Sequence, residues 1–277
     1  MSLPNLSRRA FCALAATAAL ASAKAKKIPV GLELFSVRTE LAKDPQATVK
    51  AVAKMGYDGV EFFSPYMNWT VDQTKEMRKL LDDLGIKCFS THNGPTSFEG
   101  DGAKKAVELN TILGSKFIVM ASAGKVEGLD GWKGVAAKLS AGSAIFKPAG
   151  IRAGYHNHQT EFKPLDGKRP IEIIAANTPK EVMLQLDLGT CVEVGADPVA
   201  WINANPGRIN CMHLKEWSPD TGYKALFGEG KVPWKDVFAA AEKKGGVEYY
   251  LIEQEGSRLT PFESAAKCLE TFKQTHV

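Results

Sequence analysis

The pattern of hydrophobic and polar positions alternates between two periods along the chain after residue 27. Short apolar runs rich in β-branched and aromatic residues predict buried strands, and apolar positions three or four residues apart predict helices between them. Eight apolar runs predict strands at residues 28–37, 59–63, 87–93, 117–122, 152–158, 182–188, 209–217 and 248–255.

A helix is predicted after each strand. Asp44 and Pro45 suit the cap and first position of the first helix, and Gly56 suits its end. The predicted helices span residues 44–56, 70–84, 102–113, 129–149, 171–177, 197–204, 233–244 and 261–275. Eight strand–helix units in about 250 residues are typical of an α/β protein built as a single (β/α)₈ TIM barrel, here residues 26–277. A doubly wound open sheet is the alternative, but its typical glycine-rich loop does not follow the first strand.

The first 25 residues predict a targeting segment that is not part of the barrel. Ser7-Arg8-Arg9-Ala10-Phe11 is a twin-arginine pattern, and an apolar run reaches Ala21. Small residues between Ala21 and Ala25 suit a cleavage site, so we expect export, to the periplasm. The apolar run is too short to remain as a membrane anchor. An amphipathic or unstructured N-terminal arm is the alternative.

Composition narrows the classes of function. The chain is 44% hydrophobic and 24% charged, as in soluble globular proteins. The net charge is +4, and no basic stripe indicates nucleic acid as a partner. The cysteine spacings show no disulfide framework, and Cys88 and Cys211 lie in apolar strand patterns, which predicts buried free thiols.

Ionisable residues collect at the predicted strand ends, where barrels of this kind place their catalytic groups. Four of the five histidines lie there, accompanied by acidic residues and one lysine: His92, His156, His158, His213, Glu33, Glu61, Asp187, Glu253, Glu255 and Lys215. Alternation along a strand predicts that His156 and His158 share a face. Each residue alone also suits a structural role, as a turn former, rim charge or hydrogen-bonded core residue. Together they predict a site for one divalent ion such as Mn²⁺, Zn²⁺, Co²⁺ or Mg²⁺.

Several of these strand ends resemble a known family. Leu186-Asp187-Leu188-Gly189, Met212-His213-Leu214-Lys215 and Ile252-Glu253-Gln254-Glu255 are similar to motifs of the xylose-isomerase-like superfamily of sugar isomerases and epimerases. The resemblance implies that Asp187, His213 and Glu253 are three of four metal ligands. His156 stands where the family usually has a glutamate, which makes it the expected fourth ligand, with His158 as the alternative.

The resemblance also implies a function: a metal-dependent isomerase or epimerase of a sugar or sugar-like polyol that removes a proton next to a carbonyl. Glu253 or His156 would take the proton, and Lys215 would offset the charge on oxygen. The expected substrate-binding residues are Glu61, His92, His158, Glu255 and Trp217.

Other functions stay open at this point. The epimerases of the family use two glutamates as bases, so His156 makes a lyase or dehydratase acting on a keto-sugar or inosose an alternative. A nuclease similar to endonuclease IV is less expected, because that family has a histidine where Thr190 stands. A non-catalytic sugar-binding barrel is the last alternative. In every one of these functions except the nuclease, the expected binding partner is a small sugar-like molecule.

Overall fold

The computed structural model describes residues 27–276, so the predicted targeting segment, residues 1–25, lies outside the described residues. The chain forms eight parallel strands: β1 (Val30–Glu33), β2 (Gly59–Phe62), β3 (Lys87–Asn93), β4 (Phe117–Met120), β5 (Arg152–His156), β6 (Met183–Asp187), β7 (Cys211–Leu214) and β8 (Tyr249–Ile252). Each strand pairs with the next, and β8 pairs with β1, which closes the barrel. The predicted (β/α)₈ barrel is confirmed.

Helices surround the barrel. They are α1 (Arg38–Lys43), α2 (Pro45–Met55), α3 (Val71–Leu84), α4 (Gly100–Leu113), α5 (Gly128–Phe146), α6 (Gln159–Phe162), α7 (Pro170–Ala176), α8 (Leu188–Glu193), α9 (Pro198–Ala204), α10 (Trp234–Ala240) and α11 (Pro261–Thr275). No helix among residues 27–276 has both the length and the apolar character needed to cross a membrane.

The predicted helix signals act as expected. Asp44 Oδ1 accepts a hydrogen bond from Ala47 N at 2.9 Å at the start of α2, and Gly56 ends that helix in the left-handed region at φ 92°. Thr70 and Gln73 form a reciprocal capping box at the start of α3. These caps bind the free N–H groups of the first turn and so fix where each helix begins. The predicted helices therefore agree with the observed ones to within a few residues.

Two apolar layers support the mouth of the barrel. The larger fills the space between strands and helices, and the smaller consists of Phe89, Phe117, Val119, Met183, Cys211, Tyr249 and Leu251. Met183 lies on the same strand face as Asp187, because side chains alternate along a strand, and Cys211 likewise precedes His213. The smaller layer is therefore the floor on which the polar strand-end residues stand. Cys88 and Cys211 are buried free thiols, as predicted.

Several strands are shorter than predicted. β1 ends at Glu33 and continues as a 3₁₀ turn, in which Leu34 and Val37 stay buried and so resemble strand residues in the sequence. β5 ends at His156, and His158 instead precedes α6, where its backbone N–H donates to Glu161 Oε2 at 2.9 Å. The prediction that His156 and His158 lie on one strand is wrong.

Candidate metal centre at the barrel mouth

Four of the predicted residues meet at the carboxyl end of the barrel. His156 and Asp187 are the last residues of β5 and β6, His213 is in β7, and Glu253 follows β8. One donor atom from each lies within 4.8 Å of the others, and all four side chains are buried. Such spacing is compatible with one ion held by two imidazoles and two carboxylates.

Asp187 supplies the observation that tests the fit of a cation. Its Oδ1 accepts from Thr190 N at 2.9 Å, and Asn157 Oδ1 accepts from its backbone N at 3.0 Å. Its Oδ2 is buried and has no hydrogen-bond partner among the described residues. His156 Nε2 is 3.8 Å and Lys215 Nζ 3.5 Å from this oxygen. A buried carboxylate oxygen without a donor is costly, so the residues present fit a bound cation.

His213 lies between two carboxylates. Its Nδ1 is 2.6 Å from Glu253 Oε2, and its Nε2 is 2.8 Å from Glu61 Oε2. Burial alone would lower the pKa of His213, but the hydrogen bonds to Glu253 and Glu61 raise it to about 10. Burial would raise the pKa of Glu61, yet His92 and His213 bring it down to about 2. The metal-free centre therefore holds an imidazolium between two carboxylates.

Lys215 brings a second positive charge to the centre. Its Nζ donates to Glu255 Oε1 and lies 3.5 Å from Glu253 Oε1, and the ring of Tyr223 is 4.6 Å away. Burial acts to lower the pKa of Lys215, but the charges of Asp187, Glu253 and Glu255 raise it above its usual value. Lys215 is thus a fixed ammonium whose charge balances the carboxylates.

A layer of polar side chains lies beneath these residues. Gln185, two residues before Asp187 on β6, accepts at Oε1 from His92 Nε2 at 2.7 Å and from His156 Nδ1 at 3.1 Å. Its Nε2 donates to Glu61 Oε1 at 3.0 Å. Burial lowers the pKa of both His92 and His156. Sequence reasoning missed Gln185, although its position on the same strand face as Asp187 was a signal for it.

A pocket of about 210 Å³ opens above the centre. Among the predicted residues it is lined by His92, His156, His158, Glu253 and Glu255. Glu61 is instead fully buried below, and Trp217 is not part of the lining that the described residues form. Glu33, a strand-end residue to which the sequence assigned no role, does line the pocket, beside an edge-to-face pair of Phe35 and Phe63.

Glu216 is a strand-end carboxylate with a structural role. It is buried and accepts four hydrogen bonds, from the backbone N–H groups of Trp217, Gly228 and Val232 and from Trp234 Nε1 at 2.7 Å. A side chain at Gly230 would come within 2.3 Å of Glu216 Oε1, so the loop wraps closely around this carboxylate. Glu216 thereby fixes the loop between β7 and α10.

Comparisons with known proteins find the same fold. The model of the family described as xylose isomerase-like TIM barrel matches residues 49–274. A sugar phosphate isomerase/epimerase from Parabacteroides distasonis ATCC 8503 has a TM-score of 0.76 and 27% identity, over 91% of this chain and 96% of that one. A comparison with curated proteins finds no match.

Two further solved structures share the fold at lower identity. L-ribulose 3-epimerase has a TM-score of 0.67 and 17% identity, over 90% of this chain and 94% of its own. The IOLI protein with a binding zinc atom has a TM-score of 0.68 and 16% identity, over 89% of this chain and 97% of its own. At such identity these two likenesses concern the fold alone.

Proposed function

This chain belongs to the xylose isomerase-like TIM barrel family, and we propose that it is a metal-dependent isomerase or epimerase of a sugar or sugar-like polyol. The observation that carries the proposal is the convergence of His156, Asp187, His213 and Glu253 around Asp187 Oδ2, which has no hydrogen-bond partner among residues 27–276. The similarity to a sugar phosphate isomerase/epimerase over nearly the whole chain supports the same class of substrate.

These four residues would hold one divalent ion, for which Mn²⁺, Zn²⁺, Co²⁺ and Mg²⁺ are the candidates. When bound, such an ion supplies Lewis-acid polarisation of a substrate carbonyl. The buried setting strengthens every charge interaction with the substrate, because little water remains to screen it.

Glu253 is the group best suited to move the proton. It lines the pocket, and Lys215 and His213 outweigh the effect of burial and hold its pKa well below the usual range, so it is an ionised carboxylate. It would take the proton from the carbon next to the carbonyl, and Lys215, 3.5 Å from Glu253 Oε1, would stabilise the negative oxygen that results. Return of the proton to the former carbonyl carbon, with the hydroxyl proton passing from one oxygen to the other, completes an isomerisation, and delivery of a proton to the original carbon by a second group on the opposite side completes an epimerisation.

Substrate contacts would come from the pocket walls. His92, His158 and Glu255 line the pocket and offer donors and acceptors to sugar hydroxyls. Glu61 acts from below through His213 and Gln185, to which it is hydrogen bonded, rather than on the substrate.

A lyase or dehydratase acting on a keto-sugar or inosose is the second candidate, and the position of His156 favours it over an epimerase that would use His156 as its second base. Its Nδ1 is hydrogen bonded to Gln185, and its Nε2 faces Asp187, so neither nitrogen is free to serve as a second base. Elimination needs only one base to remove the proton and a departing hydroxyl on the next carbon. A nuclease is not supported, because Thr190 makes hydrogen bonds to Asp187 where a further imidazole ligand would be needed.

The test is a screen of keto-sugars, inososes and oxidised glycosides with the metal-reconstituted protein in D₂O, followed by NMR. Deuterium at a carbon next to the carbonyl is expected, with rearranged, inverted or dehydrated product telling the reactions apart. Absence of exchange and of product with every substrate class, in protein that binds the ion at the expected stoichiometry, would leave a non-catalytic sugar-binding barrel as the better explanation.

Export of the chain is a separate proposal that rests on residues 1–25 alone. The twin-arginine pattern Arg8-Arg9 and the alanine-rich run after it support cleavage near Lys24 or Lys26 and a periplasmic location. Mass spectrometry of the protein from its native host tests this. An intact N-terminal segment on the folded protein would contradict it.

A further inference from the structure

The hydrogen-bond network under the metal centre starts from one group that can only accept. Glu61 is fully buried, and its Oε2 lies 2.8 Å from His213 Nε2 and 3.1 Å from His92 Nε2, so it is placed as a carboxylate that accepts from both rings. Gln185 presents one amide atom to it, at 3.0 Å from Glu61 Oε1. That atom must be the NH₂ group, because two acceptors would repel each other. The amide oxygen of Gln185 therefore faces the opposite way, towards the imidazoles.

The direction of Gln185 decides where two histidines carry their protons. Its Oε1 lies 2.7 Å from His92 Nε2 and 3.1 Å from His156 Nδ1. An amide oxygen only accepts, so both of these ring nitrogens carry hydrogen. His92 Nε2 also lies 3.1 Å from Glu61 Oε2, a second acceptor that requires the same hydrogen.

The other nitrogen of each neutral ring then has a free lone pair. For His156 it is Nε2, which points to the metal centre, 3.8 Å from the unpartnered Oδ2 of Asp187. For His92 it is Nδ1, on the side of Glu33, whose Oε1 is 3.9 Å away at the pocket wall.

We propose that Gln185 is a positioning residue that holds His156 as the Nδ1–H tautomer and so directs its Nε2 lone pair to the metal. Histidine ligands typically donate their second ring N–H to an oxygen behind them, and the amide of Gln185 supplies that oxygen. The same amide holds His92 with its Nδ1 lone pair facing the pocket. The inference rests on the proposed metal centre.

The pairing of these two residues also explains how a histidine serves where the family usually has a glutamate. A carboxylate at residue 156 would need a donor behind it, whereas an imidazole needs an acceptor. Since Glu61 already takes the NH₂ group of Gln185, the side that remains for residue 156 is an acceptor. Gln185 and Glu61 thus form a support that matches an imidazole and mismatches a carboxylate.

The first test needs no variant. Long-range ¹H–¹⁵N correlation spectra of the metal-free, ¹⁵N-labelled protein distinguish the two neutral tautomers of each histidine. We expect hydrogen on Nδ1 of His156 and on Nε2 of His92. Hydrogen on Nε2 of His156 would overturn the inference.

The second test compares Gln185→Leu with Met183→Leu as the matched control. Both residues are buried on the same face of β6, but Met183 lies in the apolar floor. Loss of a group that supports a ligand typically weakens metal binding by about 10–100-fold. We expect that loss of Zn²⁺ affinity in Gln185→Leu together with a mixture of His156 tautomers, and neither change in Met183→Leu. Wild-type tautomers and Zn²⁺ affinity in a folded Gln185→Leu protein would contradict the inference.

The two proposals fail in different ways. Expected tautomers in a protein that binds Zn²⁺ but turns over no sugar would leave this inference standing and remove the proposed function. Sugar turnover by a protein in which His156 is the Nε2–H tautomer would support the proposed function and overturn this inference. If Gln185→Leu does not fold, the wild-type spectra alone decide.

Discussion

Binding of a divalent ion to the metal-free protein should release one proton per ion near neutral pH. His213 is held between Glu61 and Glu253 as an imidazolium with a pKa of about 10. A metal ion needs a nitrogen lone pair, so the ion must displace one of its two protons. The pKa values of the ligands Glu253 and His156 and of the neighbouring Glu61 are all lowered. These three groups therefore have no proton to lose at pH 7.

The size of the effect follows from the pKa of His213. Three pH units separate pH 7 from a pKa of about 10, and each unit corresponds to ~1.36 kcal/mol. Metal binding at pH 7 is therefore weakened by about 4 kcal/mol relative to a neutral His213. Between pH 7 and 9 the dissociation constant should fall by about tenfold per pH unit, as expected for loss of a single proton.

Calorimetric titration with Mn²⁺ in two buffers of different ionisation enthalpy measures the proton directly. We expect the heats per bound ion to differ by the difference between the ionisation enthalpies of the two buffers. Glu61→Gln is the informative variant, because it removes one of the two charges that hold the proton on His213 and so should make the pH dependence shallower. Equal heats in both buffers, or a dissociation constant that is flat from pH 7 to 9, would refute the reasoning.

Three further changes test other parts of the site. Lys215→Met should lower kcat by roughly 10²–10³-fold, as for removal of one group that stabilises a developing oxyanion. Metal affinity should rise, because the positive charge that competes with the ion is gone. An unchanged kcat would remove Lys215 from the mechanism. His156→Glu should weaken metal binding, because Gln185 presents its amide oxygen to residue 156, but at saturating metal it should retain turnover if Glu253 is the base; a loss of ~10²–10⁴-fold in kcat at saturating metal would instead identify His156 as the proton carrier. Glu216→Gln should destabilise the fold by about 2–3 kcal/mol, because the NH₂ group of the new side chain would face N–H donors. Chemical denaturation measures this against the control Glu229→Gln, since Glu229 lies in the same loop but pairs with Arg258 near solvent. Equal stability of the two variants would contradict the role of Glu216.

The barrel was predictable because strand and helix periods alternate without interruption, and because caps such as Thr70 with Gln73 mark where helices begin. Strand ends were less predictable. Leu34 and Val37 are buried in a turn, so their apolar character extended the first predicted strand beyond Glu33. Apolar character in a sequence indicates burial but not backbone conformation. A buried turn therefore cannot be told from a strand by its apolar residues alone.

The site was predictable as a set of residue types, and much less as a set of contacts. Strand-end positions supplied the larger set of candidates, and the family resemblance selected His156, Asp187, His213 and Glu253 from it, although only the structure gives their separation. Gln185 was missed because an uncharged amide has no ligand chemistry of its own. Its role arises from the distances to two imidazoles and a carboxylate on other strands, which no local pattern encodes.

These contacts also decide which reactions the pocket can support. With one nitrogen of His156 hydrogen bonded to Gln185 and the other directed at the metal centre, we expect Glu253, of the two candidates, to be the base in the proposed reaction. An aldose–ketose shift or an elimination needs one such base. Inversion of a carbon needs a second proton-carrying group on the opposite side of the substrate, and that group must come from elsewhere in the pocket.

We expect His92 to meet this requirement. It lines the pocket, burial lowers its pKa so that the ring is neutral, and its Nδ1 lone pair is left free when Nε2 is hydrogen bonded to Gln185. If the wild type inverts a sugar carbon, His92→Gln should abolish the inversion, while Glu253 still exchanges the substrate proton with solvent deuterium. NMR of substrate and product in D₂O separates the two events. Inversion that persists in His92→Gln would show that another residue carries the second proton.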